Sequence, residues 1–345
     1  IMKLLMITGR GSAKDLASGK KGAFYNTLEE FHKYWDRVDI ISAKVKGQRS
    51  KVKCLFNNVF VHVSPWPLLF HPFWFLKKGI EIYNEQKFDL MTVHEFPPFY
   101  NGIGARLLWQ KIRVPYILEI FHIPGYPRSA SFKESVYKFM FKLFIRFDAS
   151  KAKAIRIMNN QVRDFLVRAG IPKGKIIYIP AIYIDLDIFK SMNLSKEYDL
   201  IFIGRNSKNK GIKIFKKAAK KFSHKIIGID YWAKDSQEIA ELLNKSRILV
   251  MPSYNEGGPR VVVEAMACGV PVLATPVGIV PDIIKSGESG EIIDWDAEDI
   301  ATKAKELLSN RDKYEKYRQA GLEVVKQFEK TEAIRNYAEQ LKKLL

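Results

Sequence analysis

Cysteine is scarce in this chain of 345 residues: only Cys54 and Cys268 are present, in halves that read as separate domains. A disulfide-stapled secreted scaffold is thereby excluded, and a reducing compartment fits. Acidic residues are also few, 37 Asp and Glu against 57 Lys and Arg, for a formal charge of +20. The greasiest stretch, Phe60 to Lys78, is broken by His71 and by Pro65, Pro67 and Pro72, which excludes a bilayer-spanning helix of about 20 apolar residues there. Ile1 is set aside; a strand-like run begins at once after Met2, leaving no room for a signal peptide, so a cytoplasmic protein is expected. No Asp-x-Asp pair sits at a strand end to hold a divalent cation, since Asp185 and Asp187 fall in a linker, and no metal or cofactor is expected. Helix-turn-helix and RNA-recognition signatures are missing too, so no nucleic acid partner is expected.

What is present is an ordinary apolar fraction of 47% and a length suited to two domains. The charge is uneven. Residues 1–190 hold 31 Lys and Arg against 15 Asp and Glu, a net +16, leaving +4 for the remainder. Such a field recruits anionic partners, or simply keeps the surface solvated.

The stretch ILVMPSYNEGGPRVVVEAMACGVPVLAT, Ile248 to Thr275, reads as strand, loop, helix and strand. Pro259 suits a first helical position and Gly269 the residue after the last turn. The unit aims the backbone N–H groups of Gly257, Gly258 and the first helical turn at one point beyond the strand, a setting that attracts phosphate. Glu256 in the loop and Glu264 in the helix bracket that point. Taken by themselves, Glu256 complements a helix dipole and Glu264 pairs with Arg260 across one turn of a solvated face.

Elsewhere, Lys3 to Thr8, Val38 to Ser42, Val59 to Val63, Leu90 to Val93 and Tyr116 to Ile120 are short apolar runs separated by helical or loop-like stretches. The alternation predicts parallel sheets covered by helices, with ligands at the carboxyl ends of strands. After the first run, Gly9, Gly11, Gly19 and Gly22 open a Rossmann-like unit without the G-x-G-x-x-G spacing. His94 and His122 each follow a strand end. Leu200 to Gly204 begins a second such unit, with Arg205 and Lys210 just beyond it in a G-R-x4-K-G pattern.

The E-x7-E spacing of Glu256 and Glu264, in the setting PSYNEGGPRVVVEAMACGVPVLATPVG, resembles glycosyltransferase family 4, retaining enzymes of the GT-B fold. The resemblance implies two Rossmann-like α/β domains facing each other across a cleft. It places an acceptor domain at 1–190, a nucleotide-sugar donor domain at 191–330, and a last helix, 331–345, crossing back to the first domain. It implies that Glu256 contacts donor-sugar hydroxyls, Glu264 the ribose, Arg205 and Lys210 the diphosphate and His122 the sugar, with Gly204, Gly257, Gly258 and Pro259 completing the nucleotide site. The family reaction is same-face attack with the donor phosphate taking the acceptor proton, so no protein base is assigned. Donors would be UDP- or GDP-sugars. The interval from Asp230 to Lys245 is shorter than usual for the family, in a region that often holds the base.

Two segments of the first half look adhesive: an aromatic loop around Trp66 to Phe75, and a greasy helix, Phe132 to Phe147, with Lys138, Lys142 and Arg146 at four-residue spacing. Either they lie in the interface of an anionic membrane, suiting a lipid-linked acceptor, or they are core elements with one basic edge. Two rivals complete the reading: a nucleotide-sugar epimerase of the same fold, and a non-enzymatic basic module binding nucleic acid.

Overall fold

Short aliphatic runs alternate with amphipathic ones, and two α/β units result. The computed structural model describes residues 2–8, 16, 22–44, 52–228 and 235–345. In the first unit the strands are β1 (Lys3–Ile7), β2 (Arg37–Ser42), β3 (Lys53–Leu55), β4 (Val59–Val63), β5 (Leu90–His94), β6 (Tyr116–Ile120), β7 (Ala154–Ile157) and β8 (Ile176–Tyr178). They form one sheet in the order β3-β4-β2-β1-β5-β6-β7-β8. Every pairing is parallel except β3 with β4 at the edge. Helices α1 (Ala23–Phe31), α2 (His71–Gln86), α3 (Tyr100–Ile112), α4 (Phe132–Ala149) and α5 (Asn160–Arg168) cover it. All five residues of β6 are buried, as a strand covered on both faces requires.

The second unit has β9 (Tyr198–Ile203), β10 (His224–Ile227), β11 (Ser246–Met251), β12 (Val272–Ala274) and β13 (Glu291–Ile292), all parallel, in the order β10-β9-β11-β12-β13. Around it lie α6 (Ile212–Ala218), α7 (Ser236–Asn244), α8 (Arg260–Ala267), α9 (Val280–Ile283), α10 (Ala297–Ser309) and α11 (Arg311–Val324). The last helix, α12 (Lys330–Lys342), packs on the first unit: Ile334, Tyr337, Ala338 and Leu341 are buried against Leu28, Phe31 and Trp35. Tyr337 stacks on Phe31 with ring centroids 4.9 Å apart. Burying an Ile or Leu side chain contributes roughly 1.5–3 kcal/mol, so this face holds the helix firmly on the far domain. The chain thus crosses between units twice, and the crossings are paired. Ile184 N–H donates to the Phe328 carbonyl at 2.8 Å and Lys330 N–H to the Ile184 carbonyl at 2.9 Å.

The expected α/β architecture of two Rossmann-like units is present. In each sheet the strand order reverses at one place, between β1 and β5 and between β9 and β11. Such switch points open crevices at the carboxyl ends of the strands.

Two local expectations change, the aromatic loop and the place of Pro259. The segment around Trp66 to Phe75 is not a loop: Leu68–Phe70 is a 3-10 turn and α2 begins at His71. Pro72 falls in the first helical turn, where its missing N–H costs nothing. The interval before β11 contains α7, opened by a capping box in which Asp235 accepts from Glu238 N–H and the Glu238 carboxylate accepts from Asp235 N–H. Pro259 caps α8 in an extended conformation, φ −67° and ψ 92°, instead of starting it. Of the glycines expected in the first loop, Gly9, Gly11 and Gly19 lie outside the described residues, and Gly22 caps α1.

Candidate active site in the interdomain cleft

Strands β9 and β11 pair in parallel, with Leu200 opposite Ile248. The loops beyond Ile203 and Met251 therefore leave the sheet side by side. Gly204 is buried at the end of β9, Arg205 is exposed, and Lys208–Lys210 makes a 3-10 turn. Gly211 closes that turn at φ +69°, where a Cβ would lie 2.0 Å from the Pro252 carbonyl oxygen; only glycine fits. Tyr254 N–H donates to the Asn209 carbonyl at 2.7 Å, tying the loops together. Lys210 consequently reaches across to Glu256 and forms an ion pair with it, both side chains about 15% exposed (16% and 15%).

Glu264 pairs with Arg260, Nε to Oε1 at 2.7 Å. The pairing read from the sequence exists, but not on a solvated face: α8 is buried from Val261 to Ala267 and Glu264 is only 4% exposed. Burial raises the Glu264 pKa, with Arg260 opposing the rise. Its Oε2 has no hydrogen-bond partner among the described residues, leaving an acceptor that a hydroxyl donor would satisfy. Arg260 also lines a cavity of about 270 Å³ between the domains, walled by Met6, Phe24, Phe31 and Phe121 and bordered by His94.

From the opposite domain comes His122, beyond β6. Its ring remains accessible, yet groups of both domains crowd it, and that desolvation lowers its pKa, opposed chiefly by Glu256 and Glu134. Lys210 and Arg205 lower it further. His122, Glu256, Lys210 and Arg205 are thus within electrostatic reach of one another across the cleft, with the imidazole neutral at pH 7. His94 is more deeply desolvated, its pKa lowered to about 4, and packs edge-on against Phe121 at 4.7 Å.

Gly257 and Gly258 have a second reason to be glycine besides exposing N–H groups. A Cβ on Gly257 would lie 2.3 Å from the Phe121 carbonyl oxygen, and one on Gly258 2.2 Å from Met158 Cε. Both bare Cα atoms face the other domain. Asn159 Nδ2 donates to the Gly257 carbonyl at 2.8 Å, Gly278 N–H donates to Gln161 Oε1 at 2.8 Å, and Asp282 accepts from Asn160 N–H at 2.9 Å. This clamp on the glutamate loop escaped the sequence reading. Its only signal is the run of amides opening α5, where Asn159 also caps the helix.

A second missed cluster binds both chain crossings. Arg156, buried in β7, donates to Glu119 (2.6 Å), to the Ile179 carbonyl (3.1 Å), and to the Pro180 carbonyl and Tyr183 hydroxyl (3.0 Å each). The Tyr337 hydroxyl of α12 donates to the same Glu119 at 2.6 Å. A charge inside each of the apolar strands ILEI and AIRI is the signal that would have found it. Asp185 and Asp187 make an Asx turn, and among the described residues no group of three or more His, Cys, Asp or Glu is placed to hold a metal ion.

Residues 230–324 match the family described as glycosyl transferases group 1, which takes in the glutamate loop and α8. An uncharacterized glycosyltransferase of Methanocaldococcus jannaschii is 25% identical over 301 residues, covering 79% of this chain and 82% of that protein. Among solved structures, sucrose-phosphate synthase from Thermosynechococcus elongatus superposes with a TM-score of 0.80 at 18% identity, covering 99% and 98% of the two chains. HepE of Anabaena, solved in complex with UDP and glucose, superposes with a TM-score of 0.72 at 16% identity over 99% and 100%. With its two facing α/β domains and this match over the second of them, the chain is a glycosyltransferase of GT-B fold carrying a glycosyl transferases group 1 domain.

Proposed function

We propose that the protein moves a sugar, with retention, from a nucleoside diphosphate sugar to an acceptor held by the first domain. The observation that carries this reading is the gathering of Arg205, Lys210 and Glu256 around His122 across the cleft, with Glu264 buried in the helix that follows the glutamate loop and paired with Arg260. A diphosphate seated between Arg205 and Lys210 competes with Glu256 for the ammonium group, and the released carboxylate then accepts hydrogen bonds from sugar hydroxyls. Buried Glu264, with Oε2 unpartnered, accepts from the ribose. As the bond from the anomeric carbon to the diphosphate oxygen breaks, negative charge grows on the diphosphate beside the two cations, which lowers the barrier. The acceptor oxygen attacks from the same face and its proton passes to a β-phosphate oxygen, so no side chain acts as general base and no metal takes part. Neutral His122 offers the sugar one hydrogen bond.

UDP- and GDP-sugars are the donors this site suits, and that HepE was solved with UDP supports the first. The acceptor is a lipid-linked sugar or a glycan, in the making of cell envelope or glycoconjugates on the cytoplasmic side of the membrane. Thermal shift against UDP-, GDP- and ADP-sugars tests the reading. A donor at about one hundred times its Kd stabilises by roughly 2.7 kcal/mol. Absence of a shift with all three, together with no sugar transfer, refutes it.

A further inference from the structure

Among the described residues twelve large hydrophobic side chains are exposed, and eight of them belong to two neighbouring segments. Five are on α4: Phe132, Val136, Phe139, Leu143 and Phe147. Their spacing of 4, 3, 4 and 4 residues makes one stripe along the helix. The opposite face of α4 is ordinary core, where Phe141 and Ile145 are buried. The other three, Leu69, Phe70 and Phe73, cap the start of α2. Both segments flank residues 96–100: Leu68 and His71 line a small cavity with Phe96, Pro98 and Tyr100, while Phe99 stacks on Phe144 of α4 with centroids 5.4 Å apart. Phe132 is 85% exposed and Phe139 and Leu69 64% each, an apolar patch of the kind that marks an interaction surface.

The charge around this patch has one sign. Between Phe96 and Lys153 the chain has ten Lys and Arg and three acidic residues. Glu119 and Asp148 are buried, and Glu134 accepts from Ala130 N–H and Asn255. Lys133 and Lys142 are exposed beside the stripe, as is Lys77 on α2. In the basic row read from the sequence, Lys138 is half-buried and donates to the Gly125 carbonyl at 3.1 Å, while Lys142 and Arg146 are exposed, Arg146 also donating to the Ala169 carbonyl. A second copy docking here would set like charges face to face, which disfavours self-association.

We infer that this face, the outer stripe of α4 with residues 69–73, docks on an anionic phospholipid bilayer. The aromatic and leucine side chains enter the boundary between headgroups and acyl chains while the lysines meet phosphates. The first turn of α4 adjoins the active-site cleft, because Glu134 holds Asn255, next to Glu256. Docking therefore brings the cleft mouth to the bilayer and selects an acceptor anchored in it. For that last step the inference rests on the glycosyltransferase reading; the docking itself does not.

Flotation of the intact protein with phosphatidylcholine vesicles, with and without 30% phosphatidylglycerol, tests it. Co-flotation with the anionic vesicles only, weakened by salt, is expected. Replacing Phe139 and Leu143 by Ser should lower partitioning more than tenfold, and replacing Lys133 and Lys142 by Glu should lower it by at least about fivefold per residue. Thermal shift by nucleotide sugar should be unchanged in both variants, showing that the fold and donor site are intact. The inference is overturned if the protein stays at the bottom of the gradient with anionic vesicles at low salt. It is equally overturned if both variants float like the unmodified protein, or if sedimentation shows a dimer that Phe139→Ser with Leu143→Ser dissociates. Flotation without any response to nucleotide sugars and without sugar transfer would refute the proposed nucleotide-sugar reaction and leave the docking standing.

Discussion

Replacing Gly257 by Ala adds only one carbon and two hydrogens, yet neither neighbour of the new methyl group can yield. The new Cβ would lie 2.3 Å from the Phe121 carbonyl oxygen, 2.8 Å from His122 Cβ and 2.9 Å from the Phe121 carbonyl carbon. Ordinary contact begins at 3.4 Å, so the glutamate loop and the β6 end must part by about 1 Å. Overpacking of this size costs about 1–3 kcal/mol, which two domains with separate cores tolerate without unfolding. The retreat carries Glu256 away from His122 and strains the hydrogen bond from Asn159 to the Gly257 carbonyl. A misplacement of about 1 Å in a reacting constellation costs on the order of a hundredfold in rate. Gly174→Ala is the control, since a Cβ there meets nothing within 4 Å. The assay is sugar transfer by each purified variant at saturating donor, with thermal melting in parallel. Gly257→Ala should be folded and about a hundredfold slower, and Gly174→Ala should match the unmodified enzyme. A folded Gly257→Ala enzyme within threefold of normal rate would refute the claim that this interdomain contact positions Glu256.

Arg205→Ala and Lys210→Ala should each slow turnover about a hundredfold with little change in melting temperature, and activity within a few-fold of normal in both would remove them from the reaction. Glu264→Gln should weaken calorimetric binding of the free nucleoside diphosphate, whereas Glu256→Gln should chiefly impair sugar-dependent turnover; equal nucleotide affinity in Glu264→Gln and the unmodified protein contradicts the ribose assignment. Burial raises the Asp148 pKa, opposed by Arg106, and the neighbouring buried Glu95 is raised too, by burial and by the Asp148 charge, so the two carboxyls titrate as a pair. Because the folded state holds the pair's protons more tightly than the unfolded state, their stabilising contribution is complete below about pH 4, the unfolded carboxyl range, and is lost as pH rises above it. Asp148→Asn should therefore reduce the fall in melting temperature with rising pH, leaving the part due to Glu95, and an unchanged pH profile would show that Asp148 does not contribute to it.

The fold was legible because strand type and spacing survive translation into a sheet: ILVM and DLIFI read as buried strands, and their pairing in β11 and β9 brings the next loops together. Lys210 and Glu256 meet for that reason, whereas a site shared by Arg205, Lys210 and Glu256 is implied by the family resemblance alone. Gly257 was read for its N–H, while its contact with Phe121 depends on the approach of a domain some 130 residues earlier in the chain. Nothing local encodes that distance. The same applies to Asn159 and Gly257, and to Arg156, Glu119 and Tyr337, whose partners come from remote segments. Glu264 and Arg260 illustrate a different gap. Their four-residue spacing predicts the pair, but the burial that raises the carboxyl pKa comes from the surroundings of α8. The aromatic segment reads as a loop because Pro72 looks like a break, although proline at a helix start is compatible with the helix.

The paired crossings at Ile184 and Glu329 have a genetic consequence. Residues 185–328 leave the first domain and return to it at neighbouring points, so in topology the second domain is an insertion whose two ends are already joined by backbone hydrogen bonds. Insertions of that geometry can be exchanged as cassettes, because a replacement with similarly spaced ends leaves the host's sheet, its closing helix and its termini undisturbed. Recombination at these two codon positions would join a new second domain to an unaltered first one in one step.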